Sequence, residues 1–373
     1  MCGIAGIITN PFADTDKGGA NLAYNIKRMT NAIAHRGPDG EGHWIDDNNT
    51  VALGHRRLSI IDLTNNASQP MHHSFFSSPA GEEKRYTITY NGEIYNYIEL
   101  REELYKNGYR FKTRSDTEVL LAAYDYWEED CLQQLDGMFA FAIWDAKKQC
   151  LFAARDRFGE KPFYFYPDNK HFIFASEMKA LWAVGVNKIP DNKMLLNYLA
   201  LGYVLNANDK MQTFFEGISS LPAGHYLYFD AASFIYKITP FWKIDKEITQ
   251  PITADAAIEK FSQLLSVSVS RRLRSDVPVG SSLSGGLDSS AITALMYRQL
   301  KSGNKQHTFS AVFPGFEKDE SRYIQSVVKK FQIKNYTTTP TIDGLITDFE
   351  KLCYTRKSPF PPPVFMPNTR YLN

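Results

Sequence analysis

Two places in this 373-residue chain combine residue types and spacing in a way that chemistry can use. The first is Cys2. If Met1 is removed, which a small second residue permits, one residue carries both a thiol and a free α-amine. The thiol is a nucleophile, and an α-amine with a reference pKa of about 8 is a base that works near neutrality. Such a group attacks an amide carbonyl, forms a thioester and releases ammonia, directly or through a water, without a histidine. Position alone is weak support, because a near-terminal cysteine is ordinarily inert, and the surrounding sequence has to carry the reading.

The second place is SGGLDSS at 284–290. Gly285 and Gly286 permit a tight turn and close approach of backbone N–H groups. The helix expected to start there adds partial positive charge, which suits phosphate. Ser284, Ser289 and Ser290 supply hydroxyl donors, and Asp288 is suited to hold Mg²⁺ bridging phosphates. No GxxxxGK is present, so the loop is not a Walker motif.

Elements must position these groups. MCGIAGIIT at 1–9 reads as a strand that starts almost at the terminus and fixes residue 2 in space. A helical pattern over 22–34 runs into HRGPDG at 35–40, whose Gly-Pro content stops regular structure. VALGHRRLSIIDL at 51–63 mixes strand propensity with basic residues, and YTITYNGEIYN at 86–96 reads as a strand entering a polar turn. Helices follow at about 97–107, closed by Gly108, and at 116–127, where Ser115 and Glu118 form a capping-box pattern. GMFAFAIWDAKKQCLFAARD and the segments 163–166 and 171–175 are strands, and LPAGHYLYFD at 221–230 reads as a hairpin bridging two domains. After Pro251 the texture changes: helix 255–273, strand 277–283, helix 288–301, strand 308–313, helix 319–331, strand 333–338 and helix 343–353. That alternation predicts a parallel sheet. The fold class expected is therefore a layered α+β domain over 2–210, followed by an α/β parallel-sheet domain over 211–373.

Composition excludes some functions. With 42 Lys+Arg against 41 Asp+Glu, the net charge of +1 is not that of a polybasic nucleic-acid binder. Hydrophobic residues at 43% and charged residues at 22% argue against a mainly disordered chain. Four cysteines with no CxxC pair suggest a reducing compartment. The absence of an apolar run of about 18–20 residues and of a signal segment makes the expected localisation cytoplasmic, with no membrane partner.

In order along the chain come MCGIAGI, HRGPDG, HRRLSIIDL, YNGEIYN, RSDTEV, GMFAFAIWD and RDRFGEKPFYF. This series resembles the glutamine-hydrolysing asparagine synthetases, beginning with their N-terminal-nucleophile glutamine amidotransferase domain. The resemblance implies a layered α/β/β/α hydrolase fold with Cys2 as glutaminase nucleophile and Asn91 and Gly92 as the oxyanion hole. It also implies Arg57 for the α-carboxylate of glutamine, and Glu93 and Asp116 for its α-ammonium. For Arg36 and Asp39 a purely structural reading stands beside this one, bracing the HRGPDG loop. SGGLDSS is similar to the pyrophosphate loop of ATP pyrophosphatases, with RSDVPVG upstream and TFSAVFPGFEKDES downstream extending the likeness. Adenine is then expected near 283–284 and 311–313, which adds Leu283 and Val312 to the ATP set. The implied reaction is amidation of aspartate with ammonia from glutamine, giving asparagine, glutamate, AMP and pyrophosphate. ATP, Mg²⁺ and small-molecule substrates are required, an internal ammonia passage joins the sites, and a homodimer follows from the likeness alone.

The sequence also departs from that family. A later SGEGSDE-type motif and a downstream lysine are missing, and KLCYTRKSPFPPPVF differs from the acidic, serine-rich stretch expected. Lys357 stands where relatives tend to carry glutamate. The expectation is a truncated second domain and an impaired synthetase half beside an intact first site. Three alternatives stay open: a glutaminase-only remnant, a related amidotransferase or β-lactam-type cyclase acting on another carboxylate, and a non-enzymatic interaction module. Cys2 speaks against the β-lactam branch.

Overall fold

Thr87, Thr89, Asn91 and Glu93 alternate with Tyr86, Ile88, Tyr90 and Ile94 along one strand, and this period of two sorts the side chains into layers. The computed structural model describes residues 1–13, 21–73, 85–247, 249, 251–300 and 306–356. The chain forms two compact units, Met1–Lys246 and Glu247–Asn373.

The first unit begins with β1 (Gly3–Thr9), α1 (Leu22–Ala32), β2 (Gly40–Ile45), β3 (Val51–Arg57) and β4 (Met71–His73). Next come β5 (Tyr86–Ile94), α2 (Tyr97–Lys106), α3 (Asp116–Trp127) and α4 (Cys131–Gln134). Then follow β6 (Gly137–Asp145), β7 (Cys150–Arg155), β8 (Tyr164–Pro167), β9 (His171–Ala175), α5 (Met178–Trp182) and α6 (Asn192–Leu201). The unit closes with β10 (Ser219–Ser220), β11 (His225–Asp230) and β12 (Ile235–Pro240). One antiparallel sheet has the order β10-β8-β9-β1-β3-β2 and the other β12-β11-β7-β6-β5-β4.

Each strand serves two interfaces. Ile4 and Ile8 of β1 meet Ala140, Ala142 and Trp144 of β6 between the sheets. Ala5 and Ile7 face Leu22, Ile26 and Met29 of α1. On the far side, Phe139, Phe141 and Ile143 pack with Leu100 and Leu104 of α2 and Val119 of α3. The result is the expected α/β/β/α stack. Aromatic rings fill its centre: Phe163 stacks on Phe174 at 5.2 Å and Phe172 on Phe229 at 4.6 Å.

Three local expectations change. Ser115 caps α3 by accepting from Thr117 N at 3.1 Å, but Glu118 does not complete a capping box. Its carboxylate accepts instead from Lys112 N at 2.8 Å and Thr113 N at 2.7 Å, donors that the preceding turn brings closer. YTITYNGEIYN is the expected strand entering a turn: Asn91 and Gly92 lie inside β5, opposite Ala140 and Phe139, and the turn falls at Tyr95-Asn96. LPAGHYLYFD is not a bridge, because β11 is hydrogen-bonded between β7 and β12. For the same reason the observed division falls after Lys246 rather than at 210.

The second unit is a parallel sheet in the order β13 (Gly280–Ser282), β14 (His307–Ala311) and β15 (Lys334–Thr338). Its helices are α7 (Ala254–Arg272), α8 (Leu287–Gln299), α9 (Ser321–Phe331) and α10 (Ile342–Arg356). The alternation follows the sequence pattern, although β13 is shorter than 277–283. The expectations for KSPFPPPVF and Lys357 lie outside the described residues. Among the described residues, no helix is long and apolar enough to cross a membrane.

The inter-sheet core sets the first unit's stability. Phe172 is fully buried, so Phe172→Ala is expected to lower the unfolding free energy by about 3–5 kcal/mol, measured by denaturant titration.

Candidate active site

Cys2 stands immediately before β1, and β1 is laddered on both sides, to β3 and to β9. The thiol lies in a cavity of about 110 Å³ whose lining includes Arg57, Asn91, Gly92, Glu93 and Asp116. The structure thus brings every residue expected for glutamine into one space. They come from four places in the chain: the residue before β1, the end of β3, β5 and the first turn of α3.

The thiol is held by one residue of the loop after β3. Leu58 N donates to Cys2 Sγ at 3.4 Å, and Sγ lies 3.5 Å from Leu58 O. Burial pushes the Cys2 thiol up, and the Leu58 N–H and the terminal ammonium only partly offset this. A thiol in that state needs a base. Burial also pulls the amine of Met1 down, so that more of it stands unprotonated near neutrality.

The far wall is the edge of β5. Tyr90 N donates to Gln69 Oε1 at 2.6 Å and Ile94 N to Asp116 Oδ2 at 3.0 Å. In an extended strand alternate N–H groups point the same way, so the Gly92 N–H between them faces the cavity. β4 pairs with β5 only as far as Ile88, which leaves this edge open. The side chain of Asn91 is 1% exposed, and its Nδ2 has no hydrogen-bond partner among the described residues. A buried amide donor without a partner costs free energy unless a ligand oxygen takes it. Gly92 is required for packing: a Cβ there would lie 2.3 Å from Met138 O.

Charge is sorted across the cavity. Arg57 reaches back to the loop after β3, donating Nη1 to Thr64 O at 2.8 Å and Nη2 to Asp62 O. A guanidinium has five N–H groups, so two bonds do not exhaust it. Neighbouring Arg56 points instead to the helical face, pairing with Glu41 at 2.7 Å. Opposite stand Glu93 and Asp116, both buried. Asp116 Oδ2 also accepts from Tyr90 Oη at 2.9 Å. Burial pushes both carboxyls up; Glu93, with Asp116 adding to the effect against the pull of Lys161, reaches about 8.

Several lining residues carried no assignment from the sequence: Lys161, Gln69, His55 and Met1. Lys161 and His55 lie inside RDRFGEKPFYF and HRRLSIIDL, so motif membership was their available signal. His55 is fully buried and neutral, pulled down to about 3 by burial. Its Nε2, 3.1 Å from Tyr90 O, must carry the proton and donate, which ties β3 to β5. It is a strut between sheets and not a base.

The second set gathers at the C-terminal ends of the parallel strands. Leu283 is buried, with its N donating to Phe309 O at 2.8 Å and its O accepting from Ser310 Oγ at 2.6 Å. Gly285 takes a φ of +93°, a left-handed conformation that favours glycine. Gly286 precedes α8, so the first-turn amides at Leu287, Asp288 and Ser289 face outward. Ser284 Oγ lies 3.0 Å from Ser289 Oγ and accepts from Gly286 N at 3.3 Å. Asp288 is exposed beside them, and Val312, just after β14, donates to Thr338 O at 2.9 Å. A glycine turn, free amides and two hydroxyls suit a phosphate chain, and an exposed carboxylate suits a phosphate-bound Mg²⁺. Among the described residues no cluster of three His, Cys, Asp or Glu side chains is placed to hold a metal alone.

A thiol at the head of a central strand, between two stacked antiparallel sheets flanked by helices, defines an N-terminal-nucleophile amidotransferase fold. The chain belongs to the glutamine amidotransferase domain family, whose model matches residues 1–242, and residues 260–372 match the asparagine synthase family. It is 38% identical to a putative glutamine-hydrolysing asparagine synthetase 2 of Methanocaldococcus jannaschii, over 90% of this chain and 64% of that one. Against asparagine synthetase 3 of Bacillus subtilis identity is 33%, covering 96% and 57%, and against asparagine synthetase 1 of that organism 37%, covering 90% and 51%. The chain therefore spans between 51% and 64% of the length of these relatives.

The raised Glu93 carboxyl has a consequence for folding. Between its ordinary 4.5 and about 8, the folded chain keeps a proton that the unfolded chain has released. Its contribution is therefore lost as pH rises through that window. Glu93→Gln removes the linkage, so the variant should gain stability relative to the parent from about pH 4.5 to 8, measured by denaturant unfolding across pH. A difference independent of pH would show that Glu93 ionises normally.

Proposed function

We propose that the first unit hydrolyses glutamine and that the chain uses the ammonia to amidate aspartate at the expense of ATP. The observation that carries the reading is the single cavity holding Cys2, the unpartnered Asn91 amide, Arg57, and the buried carboxyls Glu93 and Asp116. Glutamine presents the complementary groups: an amide carbonyl, a carboxylate and an ammonium. Arg57 takes the carboxylate, for which the guanidinium fork is suited. Glu93 and Asp116 take the ammonium, whose positive charge draws Glu93 back toward its ionised form.

Removal of Met1 frees the α-amine of Cys2 and clears a residue that itself lines the cavity. The amine accepts the thiol proton as Sγ attacks the side-chain carbonyl. Negative charge develops on the carbonyl oxygen between Asn91 Nδ2 and the Gly92 N–H. Each such donor contributes several kcal/mol, about 3–4 in favourable cases. Collapse expels ammonia with the proton held by the amine and leaves a thioester. Water then attacks the thioester, releasing glutamate and restoring the thiol.

In the second unit, ATP is assigned to Leu283, Ser284, Gly285, Gly286, Asp288, Ser289 and Val312, with Asp288 holding Mg²⁺ through the phosphates. Bound there, Mg²⁺ would supply neutralisation of the phosphate charge. The aspartate side-chain carboxylate attacks the α-phosphorus of ATP, breaking the α–β phosphoanhydride and releasing pyrophosphate, and the resulting acyl-adenylate is the activated species, since a carboxylate is a poor electrophile and AMP a competent leaving group. Ammonia attack then gives asparagine and AMP. We further propose a homodimeric state and a cytoplasmic location.

Cys2→Ala is expected to lower glutamine-dependent ammonia release by at least about 10³-fold and to spare ammonia-dependent asparagine formation. Intact mass should show loss of Met1. Aspartate-dependent exchange of labelled pyrophosphate into ATP tests the second half. Normal glutamine hydrolysis by the Cys2→Ala protein would overturn the nucleophile, and absence of exchange would overturn the adenylating assignment.

A further inference from the structure

Behind the nucleophile, away from the cavity, lies a cluster of charges that the proposed glutaminase chemistry does not use. Arg36 is 9% exposed and donates Nε to the Cys2 carbonyl at 2.8 Å. Its Nη1 donates to Glu177 Oε1 at 2.9 Å. Glu177 is 7% exposed, and its Oε2 meets Lys179 Nζ at 3.0 Å while Oε1 is 3.0 Å from His35 Nε2. Neither Arg36 nor Glu177 lines the cavity.

We infer that Glu177 is a positioning residue for the Cys2 nucleophile, acting through Arg36. The inference rests on the reading of Cys2 as nucleophile and extends it to what holds that residue in place. Residue 177 follows Ser176, which grips the first strand twice: Ser176 N donates to Ile4 O at 2.9 Å, and Ile4 N donates to Ser176 Oγ at 3.0 Å. Glu177 adds a third attachment, two residues closer to the thiol. A buried guanidinium needs a carboxylate to stay where it is; without one it turns toward water. Turning would release the Cys2 carbonyl, and residue 2, which precedes the β1 ladder, would lose its fixed height. A reacting atom displaced by about 1 Å costs on the order of 10²-fold in rate. The bonds described above for Glu177 run to Arg36, Lys179 and His35, whereas the groups assigned to glutamine stand on β3, β5 and α3. Loss of Glu177 therefore acts on turnover and not on substrate capture.

The test is glutamine hydrolysis by the full chain, together with the rate at which iodoacetamide alkylates Cys2, in the wild type, Glu177→Gln and Glu177→Ala. Glu177→Gln keeps an oxygen for Arg36 but loses the charge, and is expected to lower kcat about 10-fold. Glu177→Ala is expected to lower kcat about 10²-fold. KM for glutamine should stay within about threefold in both, and alkylation should slow in step with kcat. If Glu177→Ala does not fold, Glu177→Gln carries the test by itself. Full kcat and alkylation rate in Glu177→Gln would overturn the inference, and so would a raised KM with kcat preserved. A wild-type protein that cannot hydrolyse glutamine overturns the nucleophile reading itself and takes this inference with it; that result is visible before any variant is made.

Discussion

The two ladders that flank β1 are the constraint on which the first unit depends. A chain end is ordinarily frayed, because few contacts offset the entropy of ordering it. Here the first strand lies inside a sheet, with β3 on one side and β9 on the other. Its inner face is sealed by Ile4 and Ile8 against the opposing sheet. Cys2 is the last residue before this anchored segment, so a group at the chain terminus acquires the positional certainty of a core residue.

The opposing wall obtains its donors from an interrupted sheet. β4 stops short, and the amides of β5 beyond it are satisfied in turn by Gln69 and Asp116, with Gly92 left between them. Two contacts bind the sheets together near this point: His55 to the Tyr90 carbonyl, and Thr89 Oγ1 to the Gly54 carbonyl at 2.9 Å. The proposed oxyanion donors therefore belong to the same packed core as the thiol. Preorganised donors of this kind need no rearrangement when charge appears, which is the source of their effect.

Electrostatics divides the cavity into a cationic and an anionic side, and each side has a different means of support. Arg57 is fixed by neutral carbonyls of its own loop, so its charge remains available. Glu93 and Asp116 are buried together, and burial, with repulsion from Asp116 adding to it, raises the proton affinity of Glu93. Lys161 moderates that repulsion without cancelling it. Such a pocket favours a ligand that brings both charges, and a neutral amide alone would leave both sides uncompensated.

Much of this was legible in the residues. The β-branched start, the alternation of Thr87, Thr89, Asn91 and Glu93 with apolar neighbours, and the strand–glycine–helix pattern at 280–299 are local signals, because periodicity and turn chemistry act over a few residues. The order of motifs pointed to Cys2, Asn91, Gly92, Arg57, Glu93 and Asp116 as a set. What remained hidden depends on contacts distant in sequence. Asn91-Gly92 has the composition of a turn and is a strand because β6 pairs with it. Glu118 has capping-box spacing and serves another turn because Lys112 and Thr113 come nearer. His55, Lys161 and Glu177 acquire their places only when β3, β7 and β9 are brought round β1, since burial and charge pairing are properties of the packed chain and have no period in the sequence.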